Sequence, residues 1–258
     1  MSGLAALWKH RGIVRSLVVR DVLARYKLSF LGPLWALLQP LALMGIFTVV
    51  SRFVTVPSEG YPYPLFTYAA LLPWTMFTSA VSLATPSIAM NASLIKKIYF
   101  PREILPLAAV LVSVFDFLMA FVALLGLMLH YGVAPSPWLL LLPLLLIIQV
   151  AFSFGISLFT CAIGTFNRDV IFVVVFLLQL WMFASPVIYP LSAVPPQWRS
   201  AYLLNPMAGL VESFRSVLLG KGPPELAHLV PATVGALVTL VLGYVLFKAL
   251  ERFYADVV

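Results

Sequence analysis

The apolar positions of this chain fall into long unbroken runs, with the polar positions in short clusters between them. Barrel strands would alternate with period two; here only helices can satisfy their own backbone polar groups within lipid. The pattern predicts an all-α membrane protein with six transmembrane helices, at about 33–53, 65–88, 106–130, 139–165, 170–188 and 232–250. The first, at ~21 residues, covers about 31 Å, enough for a hydrocarbon core of ~30 Å. Pro73, beside Trp74, is expected to kink the second or to mark a re-entrant break.

Residues 1–32 read as a separate N-terminal amphipathic interfacial helix, and 33–258 as the six-span permease domain. Leu4, Leu7, Trp8, Val14, Leu17, Val18 and Val22 lie near helical spacing with basic residues between them. That suits a helix with its apolar side in the acyl boundary; a helix packed on a partner gives the same pattern. Gly32-Pro33 marks the hand-over into the first span, since proline is tolerated in a first helical turn.

The longest connection, about 189–231, has its own punctuation. Trp198 to Leu204 suits a short helix, and Asn205-Pro206 reads as N-cap followed by first helical position. Met207, Leu210, Val211, Phe214, Val217 and Leu218 then recur at helical spacing, and Gly220 suits a C-terminal cap. At about 14 residues the second helix is too short to span. Two short extracytoplasmic re-entrant or gate helices, lying on or dipping into the outer face between spans five and six, are predicted.

Composition agrees with the pattern. Of 258 residues 62% are hydrophobic and 10% charged, where a soluble domain carries about 25% charge. The mean hydropathy is +1.05. The net charge of +7 needs no nucleic acid, because cations collect in cytoplasmic loops and no basic-aromatic nucleic-acid module is present. Lys9, Arg11, Arg15, Arg20, Arg25, Lys27, Lys96, Lys97, Arg102, Arg168, Lys248 and Arg252 share one side, against Arg52, Arg199, Arg215 and Lys221 on the other. Both termini are therefore expected in the cytoplasm, in a multi-pass protein of the inner (plasma) membrane. The cations spread through the first 30 residues leave no room for a cleavable signal. The single cysteine, Cys161, excludes an internal disulfide. His10, His130 and His228 are scattered, so neither a metal site nor catalytic residues are expected.

Three stretches carry a family resemblance: RDVLARYKLSFLGPLWALLQP (20–40), SLIKKIYFPREILPL (93–107) and LLNPMAGLVESFRSVLLG (203–220). They resemble, respectively, the N-terminal signature, the first cytoplasmic loop and the segment before the last span of type-2 ABC exporter permeases. The resemblance is to the branch exporting lipid-linked polysaccharides of O-antigen, capsule or teichoic-acid type, and it covers essentially the whole chain. It implies a homodimer of permeases working with two copies of a separate nucleotide-binding ATPase. No G-x-x-x-x-G-K-[ST] phosphate loop occurs here, so no cofactor is expected on this chain, and ATP and Mg would belong to the partner.

The resemblance makes Lys96, Lys97, Ile98, Tyr99, Phe100 and Arg102 an ATPase-coupling loop. The cations alone would fix topology, but the aromatics, expected to be exposed, are not needed for that. Arg20, Arg25 and Lys27 sit where a lipid pyrophosphate would approach, though anionic membrane lipids suit them equally. Asp116 is costly in lipid, so it is expected to face a cavity or a protein partner. Trp74, Trp181 and Tyr189 suit either an interfacial aromatic belt or stacking on sugars along a glycan pathway. Asn205, Glu212, Phe214 and Arg215 fall on the outer gate helix, with Glu212 and Arg215 spaced to pair. The predicted function is the transmembrane permease of an ATP-driven exporter of lipid-linked polysaccharide. The rivals are a small-molecule or drug exporter of the same superfamily, a membrane transferase acting on lipid-linked sugars, and a passive channel. The last two want, respectively, acidic or histidine catalytic groups in which the chain is poor, and no ATPase-docking loop.

Overall fold

The computed structural model describes residues 9–27 and 29–254. Leu4, Leu7 and Trp8 of the expected first helix lie outside them. The described residues form helices joined by short turns, with no strand among them. In order they are α1 (Arg11–Tyr26), α2 (Trp35–Ser51, led in by a 3-10 turn at Gly32–Leu34), α3 (Tyr63–Ala84), α4 (Ser87–Met90), α5 (Ala92–Lys97), α6 (Ile104–His130), α7 (Leu142–Gly164, led in by a 3-10 turn at Pro137–Leu141), α8 (Asp169–Phe183), α9 (Pro196–Tyr202), α10 (Pro206–Leu218) and α11 (Leu226–Glu251).

Among the described residues four stretches are long and apolar enough to cross a membrane: Gly32–Ser51, Ile104–His130, Pro137–Gly164 and Leu226–Glu251. α3 is not among them. Its 22 residues give about 33 Å of length, but its tyrosines, threonines, prolines and tryptophan make it less apolar. It is nonetheless the most enclosed of the helices long enough to span, packed against α2, α6, α7, α8 and α10. A helix surrounded by protein need not dissolve in lipid, so hydropathy and burial run in opposite directions here. α2 and α8 are apolar and largely exposed; only Pro40 is buried in the first, and Val174 and Leu178 in the second. α8 has 15 residues, about 22 Å, and the chain turns after Phe183, earlier than the expected span end at 188.

Pro73 does not break α3. The Thr75 hydroxyl donates to the Leu71 and Leu72 carbonyls at 2.8 and 3.2 Å, and the Gln149 amide of α7 donates to the Pro73 carbonyl at 3.3 Å. Hydroxyls and a neighbouring helix thus supply bonds around the site that an isolated helix would lack.

α1 is not simply a surface helix. It lies along the start of α6, with Leu17 buried in a cluster with Ile88, Ile104, Leu105 and Ala108, and Tyr26 facing Phe115 with ring centroids 6.1 Å apart. The alternative reading, a helix packed on a protein neighbour, therefore describes it, and the neighbour lies within the same chain.

Of the two placements expected for α10, lying on a face or dipping inward, its burial fits the second. Asn205 caps it as predicted, accepting from the Met207 amide at 3.1 Å, and Gly220 follows its end with φ +72°, a conformation that glycine adopts without strain. All of its 13 residues except Pro206, Glu212 and Ser216 are buried, inserted among α3, α7 and α11. It is an inward-packed half-helix: its apolar side meets the core, and two residues of its polar side, Ser213 and Arg215, are buried because they bond to carbonyls and to Glu212.

Candidate functional site

Two regions concentrate polar chemistry, one on the flank of the bundle beside Asp116 and one at the end that carries Lys96 and Lys97, the basic end. The first begins with Arg25 at the end of α1. Its guanidinium donates to Asp116 of α6 at 2.7 Å, and the Tyr26 hydroxyl donates to the other oxygen of the same carboxylate. Burial, then the hydrogen bond to the Asp116 carboxylate, raises the Tyr26 phenol above its ordinary pKa, so it stays a donor. Asp116 therefore has protein partners, which is how a carboxylate midway along an apolar helix is tolerated. Arg20 pairs with Asp21 at 2.7 Å and donates to the Asn91 side chain at 3.0 Å. Lys27 is exposed.

From Arg25 a groove runs between α2, α3 and α8. One cavity of about 280 Å³ is lined by Arg25, Tyr26, Trp35, Gln39 and Asp116 among others. An adjoining one of about 430 Å³ shares Arg25, Gln39, Thr75 and Ser79 with it and extends to Thr78, Ser82 and Gln179. Thr75, Thr78, Ser79 and Ser82 are spaced i, i+3, i+4, i+7, so they form one stripe of α3, and all four are partly exposed while the other face is buried and apolar. Thr75 and Thr78 spend their hydrogens on carbonyls of their own helix, which leaves their oxygens as acceptors. A stripe of hydroxyls on an open face is misplaced against acyl chains and suits a wetted path. The sequence reading missed these rungs; the spacing of the four hydroxyls was the available signal.

The expected glycan-pathway aromatics are placed unevenly. Trp74 is buried at the groove wall, 5.7 Å from Phe77 between centroids. Trp181 donates to Asn205 at 3.0 Å and stands edge-on to Phe77 and Phe152. Tyr189 donates to the Phe183 carbonyl at 2.9 Å and meets the Tyr202 hydroxyl at 2.6 Å. These groups tie the loop after α8 to α9 and α10.

The residues expected on an outer gate are also inward. Arg215 is fully buried, with Phe214 beside it. Its guanidinium donates to Glu212 at 2.6 Å and to the Pro186 carbonyl at 2.7 Å, and lies 3.8 Å over the Phe66 ring. Glu212 accepts in turn from the Leu191 amide at 2.9 Å. The pair is the predicted one, but it pins the loop 186–191 onto α10. Nearby, Glu59 pairs with Lys221 and accepts from Ser192. Burial alone would raise its pKa; the Lys221 and Ser192 bonds and the neighbouring cations outweigh that and hold it below the usual carboxylate value.

The second region is the loop 91–103. Lys96, Lys97, Ile98 and Tyr99 are exposed, Tyr99 fully so at 101%. Phe100, expected to be exposed with them, is 6% exposed and packs with Leu17, Ile104, Phe247 and Tyr254. Adjacent extended residues point opposite ways, so only one of the two rings can project. Arg102 donates to the Glu251 carbonyl at 2.6 Å. A cavity of about 630 Å³ opens beside the loop, between it and the end of α11.

A bundle with apolar crossing helices, a polar groove on its flank and a basic, aromatic-tipped loop at one end defines a membrane transporter's permease subunit. The chain belongs to the ABC-2 type transporter family, which residues 13–219 match. It is 31% identical over 253 residues to the O-antigen export system permease protein RfbA of Myxococcus xanthus, covering 97% of this chain and 96% of that protein. It is 28% identical to a Klebsiella pneumoniae protein of the same name, covering 92% of each. It is also 28% identical to the polysialic acid transport protein KpsM of Escherichia coli, covering 93% of each.

Proposed function

We propose that this chain is the permease half of an ATP-driven exporter moving lipid-linked polysaccharide from the cytoplasmic to the outer leaflet of the inner membrane. The observation that carries the reading is the groove: a cation at its mouth followed by hydroxyl and amide rungs. Arg25 has N–H donors beyond the one on Asp116, so a phosphate oxygen can be bound there by charge-assisted bonds. The rungs then exchange hydrogen bonds with sugar hydroxyls one at a time. No single position holds the chain tightly, which passage of a polymer requires. O-antigen and polysialic acid, the cargoes in the relatives' names, share that chemistry.

Two copies would enclose the path, with the exposed apolar faces of α2 and α8 meeting across it or facing lipid. In this reading the chain crosses the membrane six times, α3 and α8 completing the set, and both termini are cytoplasmic. The basic end then meets a separate ATPase holding ATP and Mg, through Lys96, Lys97, Ile98 and Tyr99. Arg20, Arg25 and Lys27 guide the anionic lipid head to the groove.

The test narrows the groove without touching the bundle core. Thr78→Leu with Ser82→Leu, both partly exposed, fills the path with apolar bulk. In a strain lacking its own export permease, the wild-type chain with its ATPase should restore surface polysaccharide, while the double variant accumulates lipid-linked polymer inside at equal membrane abundance. Full export by the double variant overturns the groove as the path.

A further inference from the structure

The base of the loop 91–103 is fastened to a helix far away in sequence. Glu103, 1% exposed, immediately precedes α6. Its carboxylate accepts from the Lys248 ammonium of α11 at 2.8 Å, and the same ammonium donates to Glu251 at 2.8 Å. The preceding residue, Arg102, donates to the Glu251 main-chain carbonyl at 2.6 Å and lies 5.9 Å from the Tyr254 ring centre. That carbonyl is one of the last of its helix and lacks an intrahelical donor. Two consecutive loop residues thus hold the final turn of α11. A carboxylate this enclosed is tolerated because its cation is in place, and cations also suit a helix C-terminus.

The rest of α11 is keyed to its neighbours at close range. A Cβ on Gly243 would fall 2.2 Å from the Gly155 carbonyl oxygen of α7. A Cβ on Gly235 would fall 2.5 Å from Pro206, and one on Gly209 of α10 would fall 2.3 Å from the His228 carbonyl oxygen. Backbones this close leave no slack for one helix to move without the other. α11 is therefore a strut from the loop at the basic end to the buried half-helix α10.

We propose that Glu103 and Lys248 are positioning residues for energy coupling. They pass displacement of the loop into α11, and α11 passes it to α10. The proposal rests on the loop being the ATPase contact. It differs from transmission through α6, which is covalently continuous with the loop.

The test uses the complex of this chain with its ATPase in lipid nanodiscs. Leu204→Cys, at an 80% exposed position just before α10, carries an environment-sensitive fluorophore; the native Cys161 is buried. ATP with vanadate should change the fluorescence of the otherwise wild-type complex. Glu103→Gln and Lys248→Met should hydrolyse ATP and lose that change. Lys248→Arg, which keeps the charge, and the exchange Glu103→Lys with Lys248→Glu should regain it. A full response from Glu103→Gln overturns the proposal and assigns transmission to α6. Should Glu103→Gln fail to assemble, the exchanged pair decides: an assembled, responding complex supports the clamp, and an assembled, silent one overturns it. A silent wild-type complex, with Tyr99→Ala leaving assembly and hydrolysis unaltered, overturns the ATPase-contact reading and the clamp with it.

Discussion

Two Gly→Ala substitutions, both inside long apolar helices, should shift stability in opposite directions. At Gly243 an added Cβ would lie 2.2 Å from the Gly155 carbonyl oxygen and 3.0 Å from its carbonyl carbon. Both are backbone atoms, so relief requires α7 and α11 to separate. The helix-propensity gain of alanine is about 1 kcal/mol, whereas forced overpacking costs about 1–3 kcal/mol, with the upper end expected where main chain must move. The net is a loss of about 2 kcal/mol, or roughly 4–8 °C in Tm for a chain of this size. At Gly126 of α6 an added Cβ meets nothing within 4 Å. There only the backbone term remains, a gain of about 0.5–1 kcal/mol. Thermal unfolding of the purified variants in one detergent, followed by intrinsic fluorescence, reads both. A Gly243→Ala protein as stable as wild type, or a Gly126→Ala protein that loses stability, would refute the close α7–α11 contact or the open surface at Gly126.

The remaining predictions separate roles that adjacent or paired residues share. Phe100→Ala should lower stability by about 3–5 kcal/mol as a core truncation, while Tyr99→Ala leaves Tm unchanged and weakens recovery of the ATPase in pull-down. Equal Tm losses would contradict the opposite placement of the two rings. The Glu59–Lys221 pair should show in the acid limb of stability. Glu59 is held below its ordinary value of 4.5, so its contribution is complete above that value and is lost as pH falls through the lower folded value. Glu59→Gln should flatten the decline in Tm below about pH 4.5; an unchanged acid limb would show that the pair contributes nothing.

What the sequence by itself determined is local or compositional. Runs of apolar residues placed Ile104–His130 and Leu142–Gly164 within a few residues, and the end of Leu226–Glu251 but not its start, which lies six residues before the expected 232. Asn205-Pro206 announced the start of α10 and Gly220 its end, because caps and left-handed turns depend on a few neighbouring residues. The polar loop 91–103 was legible for the same reason, as were Glu212 and Arg215 as a pair one turn apart. Tertiary structure alone decided which faces meet protein. Acyl chains are as apolar as leucine, so a hydrophobic stretch reads alike whether it faces lipid or another helix. This is why the least apolar of the helices long enough to span, α3, is the most enclosed of them, and why the sequence left open whether α10 lies on the surface or dips inward. It is also why Phe100 turned inward while Tyr99 did not. Charges in such a medium must find partners wherever the fold brings them. Asp116 finds Arg25, 91 residues earlier, and Glu103 finds Lys248, 145 residues later. No local pattern encodes separations of that size; only the packing of α1 on α6, and of the loop on the end of α11, brings those groups within reach.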